Sequence, residues 1–217
     1  EKPATGGAVQ AGTGKKVYLT FDDGPSKETE KILDILKKRQ VKATFFSIGR
    51  DDAFSKKMYQ RIVKEGHTLG MHSYSHQYKE IYQSMDAFQA DYERISNCLT
   101  AATGIKPLYY RFPGGSTEVT EKLQMTDLDA YFNAQGASYF DWNVIAANNT
   151  TDDVSVNKMV DSVMNGVALY DTSIVLMYDS VDRKMTAKSL DSILDYLLKN
   201  GYEILPIDEN TIPIHHS

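Results

Sequence analysis

The chain has 217 residues, 41% of them hydrophobic and 24% charged, which suits one globular domain with a single core. A formal net charge of −5 argues against nucleic acid or an anionic membrane as the main partner, and no apolar run approaches the roughly 20 residues of a membrane span. The one cysteine, Cys98, cannot form a disulfide within the chain and reads as a small buried apolar residue; a start at Glu1 instead of Met reads as a trimmed or processed product.

Residues 1–14 are rich in Gly, Ala and Thr and are expected to form a flexible linker, with residues 15–211 the folded domain and 212–217 a C-terminal tail. Strand composition begins at 16–21 (KVYLTF), and a helix follows over 26–39, capped by Ser26, with Ile32, Leu33, Ile35 and Leu36 on one face. The pattern then alternates: strand 43–48, helix 53–65, strand 67–71, helix 84–103, strand 108–112, helix 118–133, strand 138–144 and helix 151–165. A wholly apolar strand at 173–178, a helix at 184–200 and a last strand at 202–207 complete it. Seven strand-then-helix units, the last without its helix, argue for an α/β fold with parallel strands joined by right-handed crossovers. The pattern fits an open doubly wound sheet or a barrel; polar motifs at several strand ends favour the barrel.

Those motifs carry the chemistry. Asp22-Asp23 follows the first strand, where neighbouring side chains diverge, so one carboxylate can bind a metal while the other faces a substrate; Asp-Gly-Pro is also ordinary turn sequence. His72 and His76 follow the third strand at a spacing that one helical turn would bring to one ion. Two histidines and a carboxylate form the ligand set of a hydrolytic zinc site. His67 reads as structural, and His215 and His216 receive no role. Arg111-Phe112-Pro113-Gly114-Gly115 ends the fourth strand: arginine can hold a carboxylate ionised, and the glycines let backbone N–H groups approach an oxygen, though an arginine before a turn fits equally. Trp142, the only tryptophan, reads as a sugar-facing wall or as core.

Taken together, Thr20-Phe21-Asp22-Asp23-Gly24, the paired histidines and Arg111-Phe112-Pro113-Gly114-Gly115 resemble the polysaccharide deacetylases (carbohydrate esterase family four), most closely the bacterial peptidoglycan N-acetylglucosamine deacetylases, over about residues 16–208. The resemblance implies a distorted (β/α) barrel with about seven parallel strands. It implies that Asp23, His72 and His76 bind a divalent metal, Zn2+ first, with Co2+, Ni2+ or Mn2+ also suited. Asp22 would be the general base oriented by Arg111, Gly114 the oxyanion donor, and Phe112, Pro113 and Trp142 the lining of the substrate pocket. It further implies an acetylated polysaccharide partner, peptidoglycan or chitin-like oligomers, an extracellular or cell-surface setting, and a monomer.

The sequence departs from the family at one half of the site. Tyr178 stands where the family has its general-acid histidine, and Ile145 and Asn148 stand where it has two aspartates, the second of which orients that histidine. An amide leaves as an amine only after protonation of nitrogen, whereas an ester depends on that proton less. The expectation is therefore a deacetylase with an impaired or altered acid step, with two alternatives: an O-acetyl esterase, or a silent metal- and glycan-binding relative.

Overall fold

The computed structural model describes residues 14–119, 122–146 and 155–216. Asn148 lies outside the described residues, as do residues 1–13 of the expected linker. In chain order the elements are β1 (Lys16–Asp22), α1 (Lys27–Arg39), β2 (Thr44–Ile48), α2 (Ala53–Lys64), β3 (Thr68–Ser73), α3 (Tyr78–Ile81), α4 (Met85–Thr103) and β4 (Tyr109–Tyr110). A 3-10 turn over Ser116–Glu118 leads to α5 (Met125–Gln135), β5 (Ser138–Tyr139), β6 (Val144–Ile145), α6 (Val156–Ala168), β7 (Thr172–Tyr178), α7 (Lys184–Lys199) and β8 (Glu203–Ile204).

Local chemistry sets the helix ends. The Ser26 hydroxyl accepts from Glu28 N, and the Thr29 hydroxyl accepts from Ser26 N, so two otherwise orphaned donors at the start of α1 are satisfied. Ser84 caps α4 at one end and Gly104, with φ of 75°, ends it at the other. The apolar face of α1 buries Ile32, Leu33 and Leu36 completely, each worth about 1.5–3 kcal/mol on removal from water.

The strands stand in the order β5-β4-β3-β2-β1-β7-β6, all paired in parallel, and curl into a distorted (β/α) barrel of seven parallel strands. β8 joins β1 at Lys16 and Val17, on the edge that β2 uses only from Thr20 onward. Alternation along β1 separates two layers. Val17, Leu19 and Phe21 enter the main core with the helices, while Tyr18 joins a smaller cluster with Phe46, Phe140, Ile174 and Ile207. Thr20 and Asp22 share the Tyr18 face, so the interior of the barrel is apolar at one end and polar at the C-terminal ends of the strands.

Four expectations need correction. The run 138–144 is not one strand: β5 and β6 lie at opposite edges of the sheet, and residues 140–143 cross between them. The reason is chemical, because the carbonyls of Phe140 and Asp141 accept from the Arg111 guanidinium (2.8 and 3.0 Å). The expected tail is packed as far as His216, with Ile214 against the smaller cluster and Asp141 N donating to Ile214 O at 2.8 Å. Helix α5 begins at Met125, well after residue 118, and the short α3 was not expected. Cys98 is half-buried, with Sγ 3.5 Å from Arg50 O, and is no part of the fully buried core.

Candidate active site

Asp22 closes β1 and is buried; Asp23 begins the turn after it with φ of 74°, a left-handed conformation that swings its carboxylate toward β3. Asp179, fully buried beyond the end of β7, fixes this turn: Gly24 N donates to its Oδ1 at 2.8 Å and the Thr29 hydroxyl to its Oδ2 at 2.5 Å. A Cβ on Gly24 would lie 2.1 Å from Asp179 Oδ2, so only glycine fits there. Burial, reinforced by the nearby Asp23 and Asp22 charges and opposed by its hydrogen bonds, pushes the Asp179 carboxyl up to about 7.

His72 is the penultimate residue of β3, and His76 reaches the same point by a route the spacing did not indicate. Residues 73–76 form no helical turn. Positive φ at Ser73 (144°) and His76 (55°) folds them into a tight loop. Asp91 on α4 gathers this loop, accepting from the Ser73 hydroxyl (2.7 Å), Tyr74 N (2.9 Å) and Ser75 N (2.9 Å), while Ser73 Oγ accepts from His76 N (2.8 Å).

The result is a compact triad. Asp23 Oδ1 lies 3.3 Å from His72 Nε2 and 3.2 Å from His76 Nε2, and one ligand atom from each residue falls within 4.8 Å of the others. His72 Nδ1 sits 2.8 Å from Arg111 O, which fits an Nδ1–H donor and leaves the Nε2 lone pair facing Asp23. Asp23 Oδ1 is buried and has no hydrogen-bond partner among the described residues. An orphaned carboxylate oxygen opposite two imidazole nitrogens is relieved by a proton or a cation, and two imidazoles with one carboxylate fit a divalent ion. The charges agree: burial opposes it, yet the two imidazoles close to its carboxylate hold Asp23 well below the usual carboxylate range. Burial would lower His72, and the carboxylates of Asp22 and Asp23 outweigh it and raise its pKa.

Arg111 crosses the barrel interior with no exposure. It donates from Nη1 to Asp22 Oδ1 (3.0 Å) and Thr20 Oγ1 (2.6 Å), and its guanidinium carbon lies 4.2 Å from the Phe46 ring centre. Burial raises the pKa of Asp22 more than Arg111 and His72 lower it, so Asp22 emerges as a carboxylate with a raised proton affinity. Tyr178 is the register partner of Asp22 across β1 and β7. Burial, with Asp22 and Asp23 beside it, pushes its hydroxyl up to about 12, against the partial relief of Arg183, whose guanidinium lies 5.1 Å from its ring.

The rim is completed by Gly114 and Gly115, with φ of 81° and 92°, and by Trp142, which is half-buried beside Gly115. Phe112 was expected in the substrate pocket and is not there. It is fully buried among Phe88, Tyr110, Phe132 and Tyr139, because alternation beyond β4 sends it to the opposite side from Arg111. Pro113 is buried too, and its carbonyl accepts from the Tyr82 hydroxyl at 2.9 Å. His67 is buried, accepts from Ala43 N at 3.1 Å, and is pushed by burial to about 4, as a structural residue should be.

Asp91, Asp179 and Tyr78 were missed as site residues. Tyr78 packs its ring edge-on to His76 at 5.4 Å and borders Gly114. It sits on the unexpected helix α3, and nothing in its sequence neighbourhood marks it.

Residues 10–132 match the family model described as polysaccharide deacetylase. The chain is 33% identical over 203 residues to the peptidoglycan-N-acetylglucosamine deacetylase PgdA of Listeria monocytogenes, covering 92% of this chain and 40% of that one. It is 32% identical over 198 residues to a bifunctional xylanase/deacetylase of Pseudobutyrivibrio xylanivorans, covering 90% of this chain and 30% of that one. The crystal structure of the catalytic domain of a peptidoglycan N-acetylglucosamine deacetylase from Eubacterium rectale superposes with a TM-score of 0.86 and 36% identity, over 94% of this chain and 93% of that one. The chain thus spans well under half the length of those two curated relatives.

Proposed function

The chain belongs to the polysaccharide deacetylase family, and from that premise we propose that it hydrolyses acetyl groups on a polysaccharide with a divalent metal ion held by Asp23, His72 and His76. The observation that carries the reading is the orphaned, buried Asp23 Oδ1 facing two imidazole nitrogens, with Asp22 beside it on an arginine. Zn2+ is the first candidate, and Co2+, Ni2+ or Mn2+ suit the same donors. N-acetylglucosamine of peptidoglycan is the first substrate, since PgdA and the Eubacterium rectale enzyme are named for it, with chitin-like oligomers next. An extracellular or cell-surface setting and a monomeric state go with that substrate.

An ion held by Asp23, His72 and His76 would supply Lewis-acid polarisation of an acetyl carbonyl and of a water. Asp22 takes the proton of the attacking water, and its raised proton affinity suits it to that work. Arg111 holds Asp22 in place and limits that rise. The Gly114 N–H donates to the developing oxyanion, and Trp142 forms an apolar wall for the sugar or acetyl group. Tyr178, on the opposite side of Asp22, is the group left to protonate the leaving atom, and a hydroxyl pushed to about 12 is a weak acid for an amine.

That last observation favours a second reading, in which esters are cleaved better than amides or turnover has been lost. Acetate release from N-acetylglucosamine oligomers and from an acetyl ester, for the zinc-loaded parent and Tyr178→His, separates them. The expected outcome is ester hydrolysis by the parent and an amide rate roughly 100-fold higher in Y178H. No acetate from either protein on either substrate overturns the enzymatic reading, and absence of bound metal after reconstitution overturns the metal site.

A further inference from the structure

The sheet has two open edges. β5 pairs only toward β4, β6 only toward β7, and the chain that joins them, residues 140–143, carries Asp141. This carboxylate is wholly buried and belongs to no part of the reaction described above. Its Oδ1 accepts from Ser116 N (2.9 Å), and its Oδ2 from the Ser116 hydroxyl (2.5 Å) and from His216 N (2.7 Å). One buried acid thus ties the glycine turn before Ser116 to the C-terminal segment.

The C-terminal segment itself lies along this crossing like a short strand. Asp141 N donates to Ile214 O at 2.8 Å, His215 Nε2 lies 3.1 Å from Tyr139 O, and His216 Nε2 lies 2.7 Å from Trp142 O. The His215 ring stacks on Tyr139 with centroids 3.9 Å apart, and the His216 ring stands edge-on to Trp142 at 4.7 Å. The same crossing supplies the two carbonyls that hold the Arg111 guanidinium, those of Phe140 and Asp141.

We propose that residues 213–216 form the last wall of the barrel and a positioning element for its reaction centre, holding Asp141 and through it both the Arg111 guanidinium and the Gly114–Ser116 turn. Ser116 and His216 share one acceptor atom, so the glycine turn and the C-terminus open together or not at all. Arg111 Nη2 bonds the Asp141 carbonyl while Nη1 bonds Asp22, so a loosened crossing releases the base as well. His216 and Ile214 touch neither Asp22 nor the Asp23, His72 and His76 group; their reach is through Asp141, with His216 also in contact with Trp142 and, by its carbonyl, 3.4 Å from the Ser116 hydroxyl.

The kinetic part of this inference rests on the deacetylase reading above, and the structural part does not. The first experiment therefore uses the unmodified protein: native-state amide exchange of Ser116, Asp141 and His216 as denaturant rises. The expected result is one shared opening, with protection of the three amides within about threefold. A His216 amide that exchanges a hundredfold faster than Ser116 shows a frayed end and overturns the proposal. The second uses His216→Pro, which removes the N–H that Asp141 accepts, against His216→Ala, which keeps it. H216P is expected to speed exchange at Ser116 and Asp141 about tenfold or more, the scale of one hydrogen bond to a buried carboxylate, with H216A within threefold of the parent. On an acetyl substrate that the parent turns over, H216P is expected to lower kcat about tenfold with zinc affinity changed less than threefold, the split that general loosening of the fold would not give. Parent-like protection in H216P overturns the proposal whether or not the protein is an enzyme; a parent without turnover overturns only the deacetylase reading.

Discussion

Asp91→Ala tests how the second histidine is held. The Asp91 carboxylate receives three hydrogen bonds from the 73–75 loop, and the loop in turn carries His76. A hydrogen bond to a charged group contributes about 1.5–3 kcal/mol, so the upper bound for three is several kcal/mol. Residues 74–76 are only half-buried, however, so water replaces part of what the two backbone donors lose. About 2 kcal/mol of loop ordering then remains, or roughly thirtyfold in the population of the closed loop. Removal of a supporting contact behind a metal ligand typically weakens binding 10–100-fold, the same range. Competition against a chelator should therefore show zinc affinity about thirtyfold weaker in D91A, with the circular dichroism of the parent retained. Affinity within threefold of the parent would refute the claim that Asp91 orders the site.

Arg111→Met should destabilise the protein by about 3–5 kcal/mol in urea titration, since it strands a buried carboxylate and vacates carbonyl acceptors, and should abolish acetate release; a loss below 1 kcal/mol contradicts this. For the metal-stripped protein, stability should fall as pH rises from about 4 to 7. Asp179, pushed up to about 7, keeps its proton in the folded state over that window while the unfolded carboxyl has already lost it. The decline is at most about 4 kcal/mol, and urea midpoints at pH 5 and 7.5 should converge in Asp179→Asn. Asp22, raised by burial, and His72, raised by its carboxylate neighbours, act in the same direction and leave a smaller residual slope. Gly24→Ala should cost about 2 kcal/mol or more, because its Cβ meets Asp179 Oδ2 at 2.1 Å; a neutral effect in thermal unfolding would show that the turn can shift.

The residues legible from sequence were those that interrupt apolar strands. Asp22, Asp23, His72 and Arg111 break β-patterned runs at their C-terminal ends, and a parallel (β/α) arrangement gathers such ends on one rim. Asp91 was illegible because it lies in mid-helix, where an acid is ordinary, and its partners are 16–18 residues away. The split of 138–144 was hidden for a related reason. The run holds enough strand formers for one strand, in Tyr139, Phe140, Trp142 and Val144, and only the guanidinium arriving from beyond β4 takes its carbonyls out of the ladder. Phe112 was misplaced because its neighbour in sequence, Arg111, faces the site, and period-two alternation sends the next side chain the other way. The last residues looked like a tail because their partners, Tyr139 to Trp142, are reached only through tertiary structure.

Arg111 joins two properties that a chemist would prefer to adjust separately. On the proposed reading, its backbone carbonyl, 2.8 Å from His72 Nδ1, sets the donor strength of a ligand nitrogen, while its side chain, 3.0 Å from Asp22, sets the strength of the base. One residue just beyond a two-residue strand therefore acts as a common gain control. A displacement of that strand end by a few tenths of an ångström lengthens both contacts, softening the metal's donor and strengthening the carboxylate's hold on its proton in one movement. Retuning the base without retuning the ligand requires a change that reaches the guanidinium and not the carbonyl of Arg111, from the β1 side at Thr20 or Asp22 or through the Asp141 carbonyl on the other.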